Sequence, residues 1–226
     1  MNKENSSLTS LYNAFFFDFD YTLADSSKGI VACFQIVLKR HNYVTIADED
    51  IKKTIGMTLE DSFAQLTGVA DSKLLKQYKD EYLAEADEIM SDNTVLFDDT
   101  VPLIKNLKEQ GASVGIISTK QSYIIRQTLL KYGIEQLFDT VIGMLDVVKH
   151  KPDPEGLLSG MKQVNAMPEK TLYVGDNTID AQTARSAGVD FIAVTTGMTL
   201  EDDFKAYPHI AIIPSLSFIN KITLPE

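Results

Sequence analysis

Apolar residues along this chain fall into short unbroken runs separated by longer stretches with helical spacing. Ala14-Phe15-Phe16-Phe17, Ser113-Val114-Gly115-Ile116-Ile117, Thr171-Leu172-Tyr173-Val174 and Phe191-Ile192-Ala193-Val194 lack the strict polar alternation of a half-exposed strand. Such runs fit strands of a parallel sheet covered on both faces. Thr140-Val141-Ile142 and Ala211-Ile212-Ile213 are weaker strand candidates. Between the strands lie amphipathic segments at 101–110, with Leu103, Ile104 and Leu107 on one stripe, at 122–132 and at 179–187. Each is followed by a glycine (Gly111, Gly133 or Gly188) in the position that ends a helix. Strand and helix alternate through the second half, which predicts an α/β protein with a Rossmann-like, doubly wound parallel sheet.

The first crossover breaks this rhythm. Some ninety-five residues, 18–112, separate the Phe17 and Ser113 strands, far more than one strand–helix–strand connection needs. Helical patterns fill most of that insert, at 29–40, 48–54, 59–66 and 72–90. The expected organisation is a core domain from 1–26 and 94–226, with a small all-helical cap domain over 27–93. The partly apolar helix at 29–38 suits either a cap core or a dimer interface, so the chain reads as a monomer or homodimer.

Composition narrows the partners. Hydrophobic residues make up 44% and charged residues 23% of the chain, as in ordinary globular proteins. The formal net charge of −11 repels a nucleic-acid backbone, so no nucleic-acid partner is expected. Residues 206–220, the longest stretch without a charged side chain, contain Pro208 and Pro214 and are too short to span a bilayer. The polar start, Met1 to Ser7, lacks the apolar core of a signal peptide. Cys33 is the single cysteine, so a reducing cytoplasm is the expected compartment. Its apolar neighbours mark it as a buried hydrophobe rather than a nucleophile.

Open α/β sheets bind ligands beyond the carboxyl ends of their strands. Three segments end up there: Asp18-Phe19-Asp20-Tyr21-Thr22, Ser118-Thr119-Lys120, and Gly175-Asp176-Asn177-Thr178-Ile179-Asp180. Lys151-Pro152-Asp153-Pro154 lies in the loop between the last two. Asp18 and Asp176 offer hard oxygen ligands suited to Mg2+. Asp18 is the candidate nucleophile toward phosphorus, and Asp20, two residues along an extended chain, the candidate acid and base. Ser118, with Thr119 beside it, and Lys151 are candidate phosphate contacts. Asp180, one helical turn past Asp176, is placed to orient Lys151 or a metal-bound water.

Each residue also has a plainer reading. Ser118 could cap a helix, Asp176 or Thr178 could do the same after its strand, and Asp180 could be a first-turn acid. Lys149 competes with Lys151, and Lys52 and Lys53 read as a solvated helix face. His41, His150 and His209 show no ligand spacing, and Tyr78 and Tyr82, at i and i+4, read as cap-core residues. What outweighs these readings at the sheet edge is the set as a whole, in order and each member after its own strand or loop.

That set resembles the haloacid dehalogenase superfamily of hydrolases over nearly the whole chain. Asp18-Phe19-Asp20-Tyr21-Thr22-Leu23 is similar to its first motif, Ser118 to the second, Lys151 in Lys-Pro-x-Pro to the third, and Gly175-Asp176-x-x-x-Asp180 to the fourth. A helical cap after the first motif, with Asp25-Ser26 ending the opening stretch, resembles the phosphoglycolate phosphatase and β-phosphoglucomutase branch. The resemblance implies Mg2+ held by Asp18, the backbone carbonyl of Asp20, and Asp176. It implies a small phosphorylated metabolite as substrate, a phosphoglycolate-type or sugar phosphate, with pyrophosphate as an alternative. It also turns the cap loop at Gly56 and Met57 toward the substrate. Tyr21 departs from the family's usual glycine, which puts a ring near the cap hinge. Leu59, before Glu60-Asp61-Ser62, stands where the mutase has an arginine, and Ile30 where the mutase has a histidine; both count against a phosphomutase. Retention of Asp20 counts against a dehalogenase. A catalytically silent phosphate-binding regulatory module would be the better reading had a motif residue been lost, and none is.

Overall fold

The computed structural model describes residues 6–224; the first five residues of the polar start lie outside them. After a short strand at Ser6–Ser7 and a helical turn at Leu8–Leu11, strand β1 (Ala14–Phe17) begins the main sheet and is followed by a tight turn and the helical insert. The insert comprises α1 (Ser27–Arg40), α2 (Asp48–Lys52), α3 (Leu59–Thr67) and α4 (Ser72–Ile89). It leaves and rejoins the core through a short antiparallel ribbon in which Ala24 pairs with Leu96 and Asp25 with Val95. Then come α5 (Thr100–Glu109), β2 (Ser113–Ile117), α6 (Ser122–Lys131), β3 (Thr140–Ile142), α7 (Glu155–Gln163), β4 (Thr171–Gly175), α8 (Thr178–Ala187), β5 (Asp190–Val194) and β6 (Ala211–Ile213).

The six strands form one parallel sheet in the order β3-β2-β1-β4-β5-β6. The chain winds from the centre to one edge, returns, and winds to the other. The reversal falls between β1 and β4, and it opens a crevice beyond their carboxyl ends. Side chains still alternate along each strand. Phe15, Phe17, Val114, Ile116, Leu172 and Val174 join one buried cluster, with Leu103, Leu107 and Leu129 of the helices on that face. Phe16, Ile117, Tyr173 and Phe191 join another, with Leu157 and Ala184. The period of two is present, but it separates two cores rather than core from water, which is why the runs are unbroken.

Helix α7 is absent from the elements read in the sequence. Gly156 and Gly160 lower its helix propensity, yet a methyl group at Gly160 would stand 2.8 Å from the Phe16 ring. The residue that obscures the helix is the one that lets it lie on the sheet.

The insert has its own core. Ile30, Cys33, Phe34, Val37 and Leu38 of α1 are buried with Phe63, Tyr78, Tyr82 and Met90, so the apolar face of α1 is an interior surface. Burial pushes the Cys33 thiol up to about 12, in keeping with a packing role. Lys52 and Lys53 pair with Glu49 and Asp50 at 2.7 and 2.9 Å, as on a solvated helix face. Among the described residues no helix is long and apolar enough to cross a membrane.

Phe63 is fully buried, with its ring centroid 4.7 Å from Phe34 and 5.4 Å from Tyr78. Phe63→Ala is expected to cost about 3–5 kcal/mol of the insert's stability, read by urea denaturation. A loss below about 1 kcal/mol would mean that this aromatic cluster does not hold the insert together.

Candidate active site

The turn after β1 is set by backbone geometry. The amide of Asp18 still donates to Val174, 2.9 Å away, so the residue continues the strand. The amides of Thr22, Leu23 and Ala24 then converge on the carbonyl of Phe19, at 3.3, 2.9 and 3.0 Å. The Asp20 carbonyl takes none of these bonds, and no hydrogen bond to it is seen among the described residues. Tyr21 sits in the left-handed region, with φ of 58°, a conformation that favours glycine. Its ring is buried in the core of the insert, and its carbonyl accepts a hydrogen bond from the Thr196 hydroxyl.

Lys151 is the hub of the crevice. Its ammonium lies 3.0 Å from Asp18 Oδ2, 2.7 Å from Asp180 Oδ1 and 3.2 Å from the Tyr173 hydroxyl. The other Asp18 oxygen accepts the Phe19 amide at 2.7 Å. Asp176 accepts from Thr22 Oγ1 at 3.0 Å, and a methyl group at Gly197 would collide with its Oδ2 at 2.0 Å. Oxygens of Asp18, Asp176 and Asp180 lie within 4.8 Å of one another, all on buried residues. When all three are ionised, one ammonium leaves them two positive charges short.

Burial acts first on the protonation of Asp18 and Asp176, and the neighbouring carboxylates add to it. Burial pushes the Asp18 carboxyl from 3.8 up to about 7; Lys151 opposes the shift, and Asp180 and Asp20 add to it. Asp176 is raised well above its ordinary value by burial, then by repulsion from Asp180 and Asp18. Burial works against the Lys151 charge, but Asp18 and Asp180 hold its pKa above the usual lysine value. A divalent cation fits this donor set: hard carboxylate oxygens from Asp18 and Asp176, the Asp20 carbonyl, and a local excess of negative charge. Asp180 is already engaged, by Lys151, by the Asn177 amide at 3.1 Å and by Tyr173 at 3.0 Å.

The competing readings resolve on geometry. Lys149 is exposed and faces Asp153, whereas Lys151 is buried. The residue that caps α8 is Asn177, not Asp176 or Thr178, and Asp180 completes that cap while also holding Lys151. Helix α6 is preceded by Gln121. Ser118 is therefore no helix cap; its hydroxyl accepts the Lys120 amide at 3.3 Å. Thr119 donates to the Gly56 carbonyl at 3.3 Å, which ties the cap loop to the core, and Met57 lines the same interface. His41 pairs with Glu81, His209 with the Tyr207 carbonyl, and His150 lies beside Lys151; among the described residues none joins a cluster of three or more potential metal ligands.

Three members of the site carry no role in the sequence reading. Lys120 lies 3.1 Å from Asp20 Oδ1 with both side chains buried. Tyr173 supports Lys151, and Thr22 supports Asp176. Lys120 looks like any lysine after a strand. Tyr173 had a signal, since it is the one hydroxyl-bearing aromatic in an otherwise aliphatic buried run.

In metal-free buffer the folded protein keeps its Asp18 proton up to about pH 7, while the unfolded chain releases it near 3.8. This contribution to stability is full below the lower value and is lost as pH rises through the upper one. Asp18→Asn cannot ionise, so its melting temperature with EDTA is expected to rise relative to wild type between about pH 4 and about pH 7. A difference that does not change with pH would refute the burial of this charge.

Comparison with known proteins agrees with the architecture. Residues 15–194 match the family described as haloacid dehalogenase-like hydrolase. A haloacid dehalogenase-like protein of Bacteroides fragilis has a solved structure that superposes with a TM-score of 0.89; it is 52% identical, and the match covers 91% of this chain and 98% of that one. A predicted phosphatase from Clostridium acetobutylicum, 23% identical, shares the fold with a TM-score of 0.86 over 93% of this chain and 97% of its own. The pyrophosphatase PpaX of Oceanobacillus iheyensis is 29% identical over 91% of this chain and 94% of its own length. With most of its length matched and its fold shared, the chain belongs to the haloacid dehalogenase-like hydrolase family.

Proposed function

We propose that this protein is a Mg2+-dependent phosphatase that hydrolyses a small phosphate monoester, of phosphoglycolate type or a sugar phosphate, through an aspartyl-phosphate. The observation that carries the reading is the buried Asp18 carboxylate, fixed between the Phe19 amide and Lys151 in a cluster short of positive charge. When held by Asp18, Asp176 and the Asp20 carbonyl, Mg2+ supplies the charge that lets an anionic phosphate approach a carboxylate.

An Asp18 oxygen attacks phosphorus, forming the Asp18–phosphorus bond as the bond to the leaving oxygen breaks. Asp20 gives that oxygen its proton. Water then attacks phosphorus, Asp20 takes the water's proton, and the Asp18 carboxylate leaves with inorganic phosphate as product. Lys151 and Ser118, with Thr119 at the edge, hold the transferring oxygens. Asp180 and Tyr173 keep Lys151 pointed inward. The cap over 27–93 closes on the core formed by 1–26 and 94–226, excluding water from the first step.

The relatives named pyrophosphatase support pyrophosphate as a second reading. Leu59 lines the cap side of the site where a mutase would need a cation, which counts against phosphomutase. The test is phosphate release from a panel of small esters and pyrophosphate, with Mg2+ or EDTA. Turnover is expected only with Mg2+, and Asp18→Asn should lose at least about a thousandfold in kcat. Full activity in that variant would overturn the mechanism.

A further inference from the structure

The insert is fastened to the core on one side and pinned on another. On the α6 side, Ile124 is fully buried in the insert's own cluster. There the Tyr123 hydroxyl donates to Asp87, and Lys131 to the Ser91 carbonyl at 3.1 Å. Over the crevice, among the described residues, two hydrogen bonds reach the insert, and both end on one turn. Thr119 donates to the Gly56 carbonyl and the Asn177 amide to the Ile55 carbonyl, each at 3.3 Å. Thr119 stands just past the end of β2 and Asn177 just past the end of β4, and those strands flank β1. Two strand spacings separate the anchors, roughly 10 Å, so the Ile55–Gly56 turn lies across the crevice beyond Asp18. Glycine permits the close approach: Gly56 has φ of 99°, and a methyl group on it would stand 3.1 Å from Asn177 Nδ2.

Asn177 does two jobs with one side chain. Its Oδ1 accepts the Ile179 amide at 3.0 Å and caps α8, while its Nδ2 reaches the insert. One end meets an N–H and the other a carbonyl, so a single orientation of the amide serves both. A helix cap needs only the oxygen, which serine or aspartate provides equally well. The nitrogen has no duty to α8. Asn177 also lines an open groove with Lys53 of the insert and Met198 of the core, which puts it at the rim where insert and core part. We infer that Asn177 is a positioning residue for closure: its amide latches the Ile55–Gly56 turn over the crevice, and the latch opens for exchange of substrate and product while the α6 side stays fastened. The inference rests on the phosphatase reading for what the closed crevice does, and adds the group that keeps it closed. A bond made alike in the closed ground state and the transition state favours binding without favouring chemistry, so its loss is read in KM rather than in kcat.

The experiment compares Asn177→Ser and Asn177→Ala with wild type, using the fastest ester of the panel with Mg2+. Serine keeps the cap of α8 but is too short to reach Ile55; alanine loses both bonds. Both variants are expected to raise KM by about fivefold, with kcat level or higher because product leaves more easily. Asn177→Ala should melt lower than Asn177→Ser, since it alone lacks the helix cap. A wild-type KM in Asn177→Ser means that the residue only caps α8, and overturns the latch. A fall in kcat at constant KM overturns it as well, by placing the effect on the adjacent Asp176. Hydrogen exchange without substrate gives a second readout. The 54–57 turn should exchange about fivefold faster in Asn177→Ser, with α8 and the 84–93 segment unchanged. A turn that exchanges at the wild-type rate overturns the latch. If wild type turns over no ester while the turn still exchanges faster in the variant, the phosphatase reading falls and the latch stands.

Discussion

Three buried carboxylates surround one buried ammonium where β1 and β4 part. Charges removed from water are tolerated only when paired and hydrogen-bonded, and here the pairing is incomplete. The rest of the site serves that constraint. The Phe19 amide, Thr22, Tyr173 and the capping amide of α8 each stabilise one of the charges. Burial, and after it repulsion between the neighbouring carboxylates, raises Asp18 and Asp176 above the usual carboxylate range. A divalent cation among these carboxylates would supply the positive charge they lack.

The topology is what allows this concentration of charge. Asp18 and Asp176 lie more than 150 residues apart in sequence, yet their strands are neighbours in register, with Phe17 opposite Val174. Only the winding reversal places two strand ends side by side with no crossover helix over them. Helix α8 starts there too, and its first turn brings Asp180 back under Lys151.

Much of this was legible in the sequence, for identifiable reasons. The strand runs and the long insert follow from hydrophobic periodicity, and the acidic residues stand out because they interrupt apolar strands at their ends. Helix α7 was hidden, since close packing on Phe16 demanded glycine where a helix former would have signalled its presence. Lys120 was visible as a residue but silent as to role, because its nearness to Asp20 is a tertiary contact that no local pattern encodes. Asp180 makes two contacts at once, since the amide at the start of α8 and Lys151 use different carboxylate oxygens.

Tyr21 ties the two halves of the molecule in a way glycine would not. Its backbone belongs to the turn that carries Asp18 and Asp20, in a conformation that a side chain makes costly. Its ring belongs to the interior of the cap. Any displacement of the insert relative to the sheet would therefore have to pull on that turn or uncover the ring, so one residue couples the two halves mechanically.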